Sequence, residues 1–225
     1  MSLTTGKGPL SATPAGRFSA PVPQNVSYVE PFRRRVRAVK DGRTLIDTER
    51  ALLLHQPAQP PTFAFPQDDV DGLPTEVAAD APGYVTVPWH AVDTWYEEDE
   101  VVLGHPRNPY HRVDCLRSHR TLRVRAGGTT LVDTDETMLV YETALEPRIY
   151  VDPRHVRVEL TRSQLQTYCP YKGTATYWNA MVDGKVLENV AWSYEDALPE
   201  SVPLQHLVSF DDQQVSVLHD PIGAD

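Results

Sequence analysis

Apolar and polar residues alternate with a period of two along most of the chain, so strands are expected and little helix. Arg35-Val36-Arg37-Ala38-Val39, Thr44-Leu45-Ile46, Ala51 to His55 and Phe63-Ala64-Phe65 read as short strands. They are punctuated by Asp41-Gly42 and by Pro57, Pro60 and Pro61. Val85-Thr86-Val87 continues the series, and Leu207 to Phe210 and Val215 to Leu218 close it before a frayed tail. The densest stretch is Tyr168-Cys169-Pro170-Tyr171-Lys172-Gly173. Pro170 fixes φ and Gly173 permits positive φ, which predicts a tight bend entering a strand. Thr174 to Val182 is β-branched and aromatic, Asp183-Gly184 is a two-residue hairpin signal, and Lys185 to Tyr194 forms the return strand.

The pattern repeats. A shift of 86 positions places Gly42 on Gly128, Leu45 on Leu131, Asp47-Thr48 on Asp133-Thr134, Leu53 on Leu139, Pro61 on Pro147 and Val70 on Val156 without a gap. Arg37 also falls on Arg123, and this ungapped match over residues 36–71 argues for an internal duplication. After this core the copies diverge. The first runs into an acidic loop, Gln67 to Gly83, and then Trp95-Tyr96-Glu97-Glu98-Asp99. That last run reads as a relic of Trp192-Ser193-Tyr194-Glu195-Asp196, as if the first copy had lost the central hairpin.

Composition refines the plan. The chain has 225 residues, 20 prolines and a net charge of −10. Residues 1–25, rich in Ser, Thr, Gly and Pro, are expected to form a disordered arm. Residues 26–104 form a degenerate N-terminal β unit, and residues 105–220 a C-terminal β unit carrying the Cys-Pro-Tyr-Lys-Gly motif. His105 to Arg112, with two prolines, marks the boundary. Residues 1–40 hold seven Lys or Arg against Glu30 alone, whereas 67–100 hold ten acids and no Lys or Arg. An acidic chain without a basic face is a poor nucleic-acid ligand, and Arg33 to Arg37 reads as a solvated strand edge. Nowhere do about 18 apolar residues run together, so no membrane span or secretion signal is indicated. Two cysteines without Cys-x-x-Cys build no tetrahedral thiolate site, and a cytoplasmic location is preferred.

Thr167 to Trp178 and Ala191 to Tyr194 resemble the bacterial family known as domain of unknown function 427, with its Thr-Tyr-Cys-Pro-Tyr-Lys-Gly-x-Ala-x-Tyr-Trp and Ala-Trp-Ser-Tyr segments. Glu142-Thr143, Pro147-Arg148 and Tyr150 resemble its upstream pattern. The resemblance is strong over about 105–220 and weaker over 28–104, as in two-copy members. It implies an all-β fold of two tandem β-tent-like units, the first lacking the central hairpin. Relatives of that fold carry a four-cysteine zinc site. Those cysteines are absent here, so no metal or other cofactor is expected. The family has also been labelled nucleotidyltransferase-like. Against this, no Gly-rich phosphate cradle is present, and Asp133-Thr134-Asp135 recurs as Asp47-Thr48-Glu49, which reads as turn chemistry.

The duplication sorts the candidate chemistry. Glu142 faces Gln56, Arg148 faces Thr62 and Tyr150 faces Ala64 under the shift, and the motif hairpin has no counterpart. Glu142, Lys172, Tyr171 and Cys169 are therefore the candidate catalytic residues. Arg148, Tyr150, Tyr168, Tyr177, Trp178 and Trp192 are the candidate ligand-binding ones. Lys172 and Arg148 would hold negative charge or polarise an oxygen, with Glu142 orienting Lys172 or accepting a proton. Cys169 as a nucleophile would need a lowered thiol pKa, and no histidine adjoins it in sequence. His111 and His155 are expected to be exposed. The expected partner is a small anionic or carbonyl-bearing molecule. One alternative is a protein-interaction module using the acidic 67–100 face, and a second is the nucleotidyltransferase of the family label. If Lys172 and Glu142 act on a ligand, Lys172→Met and Glu142→Gln should leave the melting temperature nearly unchanged.

Overall fold

The computed structural model describes residues 3–23 and 25–222. Its contacts divide into two compact units, Met1–His111 and Arg112–Asp225. Among the described residues there is no α-helix, only strands and short 3-10 turns. The expected disordered arm falls partly on residues 1, 2 and 24, and the frayed tail on 223–225, outside the described residues. Residues 3–23 form turns without a strand; Thr4 and Thr5 are buried, and the Thr4 carbonyl accepts from Ala58 N–H at 3.2 Å.

The N-terminal unit has two antiparallel sheets. One joins β1 (Tyr28–Pro31), β4 (Leu52–His55), β5 (Thr62–Pro66), β7 (Tyr84–Thr86) and β6 (Glu76–Val77). The other joins β3 (Arg43–Thr48), β2 (Val36–Lys40), β8 (Thr94–Glu97) and β9 (Glu100–Val102). Alternation sets the faces: Val36 and Ala38 are buried with Phe32, Ile46, Phe63 and Trp95, while Arg35 and Arg37 reach outward to Asp47 and Asp99. The expected strand edge is not what forms: β2 lies between β3 and β8, and the basic run that enters it pairs Arg34 with Glu97, Arg35 with Asp47 and Arg37 with Asp99.

In the C-terminal unit, β10 (Val113–Ser118), β13 (Thr137–Glu142) and β14 (Arg148–Tyr150) form one sheet. A second consists of β12 (Thr129–Thr134), β11 (Leu122–Ala126) and β19 (Ser216–His219). The third holds the long strands β15 (Leu160–Cys169), β16 (Gly173–Val182) and β17 (Lys185–Ala197), with β18 (Val208–Phe210) at its edge. The Asp183-Gly184 turn has positive φ at both positions, 49° and 76°, as a type I′ hairpin requires.

Strand pairing carries the duplication residue by residue. Val36↔Thr48 on β2–β3 recurs as Leu122↔Thr134 on β11–β12, and the register shifts fall at Ala38/Val39 and Val124/Arg125. Leu52↔Ala64 recurs as Met138↔Tyr150, and Val29↔Leu54 as Cys115↔Val140. Each of these pairs is displaced by 86. Small motifs repeat as well: the Thr48 hydroxyl accepts from Arg50 N–H at 3.0 Å, and that of Thr134 from Glu136 N–H at 3.1 Å. Asp47 and Asp133 each accept from an arginine of the neighbouring strand region, Arg35 in the first copy and Arg123 in the second, although these two arginines are not equivalent positions of the repeat.

The expected kinship of Trp95-Tyr96 with Trp192-Ser193-Tyr194 does not hold. Trp95 pairs with Ala38, and the residue pairing with its counterpart Val124 is Val217, so β8 corresponds to β19. Likewise Phe65 pairs with Val85 and Val151 with Val208, so β7 corresponds to β18. The segment special to the C-terminal copy is therefore β15 to β17 and the turn after them. The two runs share a strand tryptophan and the Glu-Asp that follows, Glu98-Asp99 and Glu195-Asp196, and such a match does not assign a strand its place in a sheet.

Candidate functional site

The Cys-Pro-Tyr-Lys-Gly motif is a three-residue turn between β15 and β16, closed by the Cys169↔Gly173 pair. Gly173 has φ +99°, and a Cβ there would lie 3.0 Å from the Asp196 carbonyl oxygen. The 3-10 turn Pro199–Leu204 secures the bend. Buried Ser201 donates to the Tyr171 carbonyl at 3.1 Å, and Leu198 N–H to the Lys172 carbonyl at 3.1 Å. With its backbone held at both carbonyls, Lys172 extends to Glu142, the last residue of β13, and the two form an ion pair. Their side chains are only 12% and 11% exposed.

Around the pair lies one apolar cluster. It contains Tyr150, Tyr171 and Tyr194, all buried, with Cys115, Cys169, Tyr177 and Trp192 packed against them. The Lys172 ammonium stands 5.9 Å from the Tyr194 ring centre. Trp192 Nε1–H donates to the Tyr150 hydroxyl at 2.9 Å, and Tyr177 lies beside Trp192 with ring centres 6.4 Å apart. Burial pushes the Tyr150 and Tyr194 hydroxyls well above the usual phenol range, so both remain protonated. Burial also pushes the Cys115 thiol up, with the nearby Lys172 charge acting the other way.

Seven of the ten candidate residues thus converge: Glu142, Tyr150, Cys169, Tyr171, Lys172, Tyr177 and Trp192. Three do not. Adjacent strand residues point to opposite faces, so Tyr168 and Trp178 lie on the other side of the hairpin from Cys169 and Tyr177. Trp178 packs on the core of the β11–β12 side, and its indole donates to Ser193 at 2.8 Å. Arg148 is exposed: it pairs with Asp212 at 2.9 Å and sits 5.8 Å above the Trp192 ring. His155 is partly buried, its side chain 20% exposed, and faces Glu136 at 3.6 Å. His111, expected at the surface, is buried at the end of the turn whose Asn108 carbonyl its N–H meets. Tyr194 was readable from its i, i+2 spacing to Trp192. Cys115 was not, because only the β10–β13 pairing brings it in.

Beside the cluster the unit holds a cleft of about 820 Å³. Met138, Tyr150 and Leu207, members of the same cluster, form its floor. Arg117, His119, Asp135, Glu136, Arg154 and His155 contribute polar lining. Arg154 is engaged by Glu136 at 2.6 Å, whereas Arg117, His119 and Asp135 have no side-chain partner among the described residues. Lys172 and Glu142 do not line it. At the corresponding place in the first copy, Leu52 and Ala64 are covered by Ala78 and Ala81. The cleft is therefore a property of the second copy. Among the described residues no group of three or more His, Cys, Asp or Glu side chains is placed to hold a metal ion.

A duplicated all-β chain whose second copy alone carries the motif hairpin is the class these observations define. The family described as domain of unknown function (DUF427) matches residues 28–97 and 114–221, and the chain belongs to it as a two-copy member. A search of curated proteins finds no match. No helix of the described residues is long and apolar enough to cross a membrane.

Proposed function

We propose that the C-terminal unit binds a small organic molecule bearing an anionic or carbonyl oxygen. The observation that carries this reading is Tyr150, a residue of both the tyrosine cluster and the floor of the large cleft. The volume lies within the range of small-molecule sites, and an apolar floor with a few polar groups is their usual make-up. In this reading Arg117 and His119 meet the ligand's oxygen. The Lys172–Glu142 pair does not line the cleft, so acid–base chemistry by it, favoured over covalent attack by Cys169 because it needs no further base, requires a ligand that reaches past Tyr150 into the tyrosine cluster. Two free thiols, Cys115 and Cys169, support a reducing compartment, the cytoplasm, and the net charge favours a small ligand over nucleic acid.

The test is a thermal-shift screen of the full chain with metabolites, nucleotides and metal salts. A ligand at a hundred times its Kd adds about 2.7 kcal/mol of apparent stability. Arg117→Gln, an exposed change, should remove the shift given by a true ligand without changing the unliganded melting temperature. A ligand whose shift survives both Arg117→Gln and Tyr150→Phe binds elsewhere and sinks the reading. A response confined to nucleotides with a divalent metal would favour nucleotidyl transfer instead.

A further inference from the structure

The two copies carry clefts at the same place but of opposite character. In the C-terminal unit it is a space of about 50 Å³ lined by Pro147, Arg148, Ile149, Phe210, Asp212 and Val217. Arg148 and Asp212 form an ion pair there at 2.9 Å. The 86-residue shift sends the first three residues to Pro61, Thr62 and Phe63. Counted from the corresponding valines Val208 and Val85, Phe210 and Asp212 match Val87 and Trp89, and strand register matches Val217 to Trp95. All six counterparts line a cleft of about 410 Å³ in the N-terminal unit. Where one copy has its own guanidinium and carboxylate, the other has Thr62, Trp89 and open volume.

The wall of the open cleft is a column of rings. Trp95 stacks on Phe65 at 5.9 Å and Trp89 on Trp95 at 5.0 Å, and Trp95 Nε1–H donates to the Trp89 carbonyl at 2.9 Å. Trp95 is buried, and Trp89 is the partly exposed end of the column. Glu76, on the edge strand β6, is the one Asp, Glu, Lys or Arg of the lining. It has no ion-pair or hydrogen-bond partner among the described residues.

We propose that this cleft binds a small organic cation, a guanidinium or alkylammonium group resting on Trp89 with its charge toward Glu76. Aromatic faces attract such cations, and a nearby carboxylate adds to the attraction. Residues 67–100, with ten acids and no Lys or Arg, keep the local potential negative. The second copy supplies the precedent within the chain itself, since its Arg148 guanidinium stands at the corresponding place. What that copy provides from its own sequence, the first takes from solution.

The test is titration of the full chain with n-butylguanidinium and with n-butylurea, its neutral isostere, followed by calorimetry and tryptophan fluorescence. The cation should bind saturably, and the urea roughly tenfold more weakly or worse. Glu76→Gln, an exposed strand-edge change that keeps the fold, should weaken the cation roughly tenfold. Arg148→Gln in the other copy should leave it unchanged. Equal affinity for the two probes, a Glu76→Gln variant that binds like the parent, or no saturation by about 10 mM would each overturn the proposal.

Discussion

Trp192 donates its indole N–H to the Tyr150 hydroxyl at 2.9 Å, and the two rings meet edge to face with centres 6.3 Å apart. The bond ties β17, in the segment special to the second copy, to β14, which both copies share in kind. Tyr150 is among the largest fully buried side chains, so its hydroxyl depends on this partner. Tyr150→Phe should cost about 1–2 kcal/mol by stranding the indole donor. In a double-mutant cycle with Trp192→Phe the coupling should be about 1 kcal/mol by urea denaturation. Strict additivity would mean that the bond contributes nothing.

Lys172 and Glu142 are nearly nine-tenths buried, which revises what their replacement should do. Removing one partner leaves the other charge buried and unpaired, so Lys172→Met and Glu142→Gln should each lose roughly 3 kcal/mol. The double variant should recover much of that loss, because no orphaned charge remains. Chemical denaturation of the three proteins checks this. Single variants within about 0.5 kcal/mol of the parent would show that solvent reaches the pair more freely than its burial implies.

The fold was legible in the sequence wherever geometry is local. Asp183-Gly184 announced its hairpin, and the gapless match from Arg37 to Val70 announced a pairing scheme repeated at 86 residues. Which strand fills which place was not legible. Trp95 sits opposite Ala38 where Val217 sits opposite Val124, and a tryptophan and a valine share only a buried face. The site was legible in part for the same reason. Lys172 and Glu142 could be linked through the motif and the copy comparison. Trp178 was misplaced because composition names aromatic residues but only strand parity assigns their faces. The large cleft left no sequence signal, since it exists where Ala78 and Ala81 of the first copy have no counterpart.

Gly173 has two reasons to be glycine, and a comparison separates them. Its φ of +99° strains any other residue, and an added Cβ would meet the Asp196 carbonyl at 3.0 Å. Gly42, with φ +71°, has open space around its missing Cβ. Gly42→Ala should therefore cost only the conformational strain, about 1 kcal/mol, whereas Gly173→Ala should cost about 2–3 kcal/mol and loosen the bend that presents Lys172. Urea midpoints of the two variants check the order. Equal losses would remove the role assigned to the Asp196 contact.

His55 gives the N-terminal unit an acid sensitivity whose sign follows from burial. The side chain is 1% exposed, with Nε2 at 2.9 Å from Glu30, whose other oxygen accepts from the Tyr110 hydroxyl at 2.8 Å. Burial lowers its pKa below the ordinary 6.5, outweighing the opposing effect of Glu30. As pH falls, the unfolded chain takes up the proton first, so stability is full above 6.5 and declines as pH drops toward the folded value. His105, lowered in the same way by burial, adds to the slope. Asp47, held below its ordinary 3.8 by Arg35, acts only in stronger acid and does not confuse the window. Unfolding of the N-terminal unit, followed by urea denaturation at about pH 7.5 and about pH 5, should show the parent weakened at the lower pH. His55→Gln, which can still donate to Glu30 but does not titrate, should show a shallower decline, and adding His105→Gln should flatten it further. A parent whose stability is unchanged or higher at about pH 5 would mean that neither histidine is held neutral by the fold.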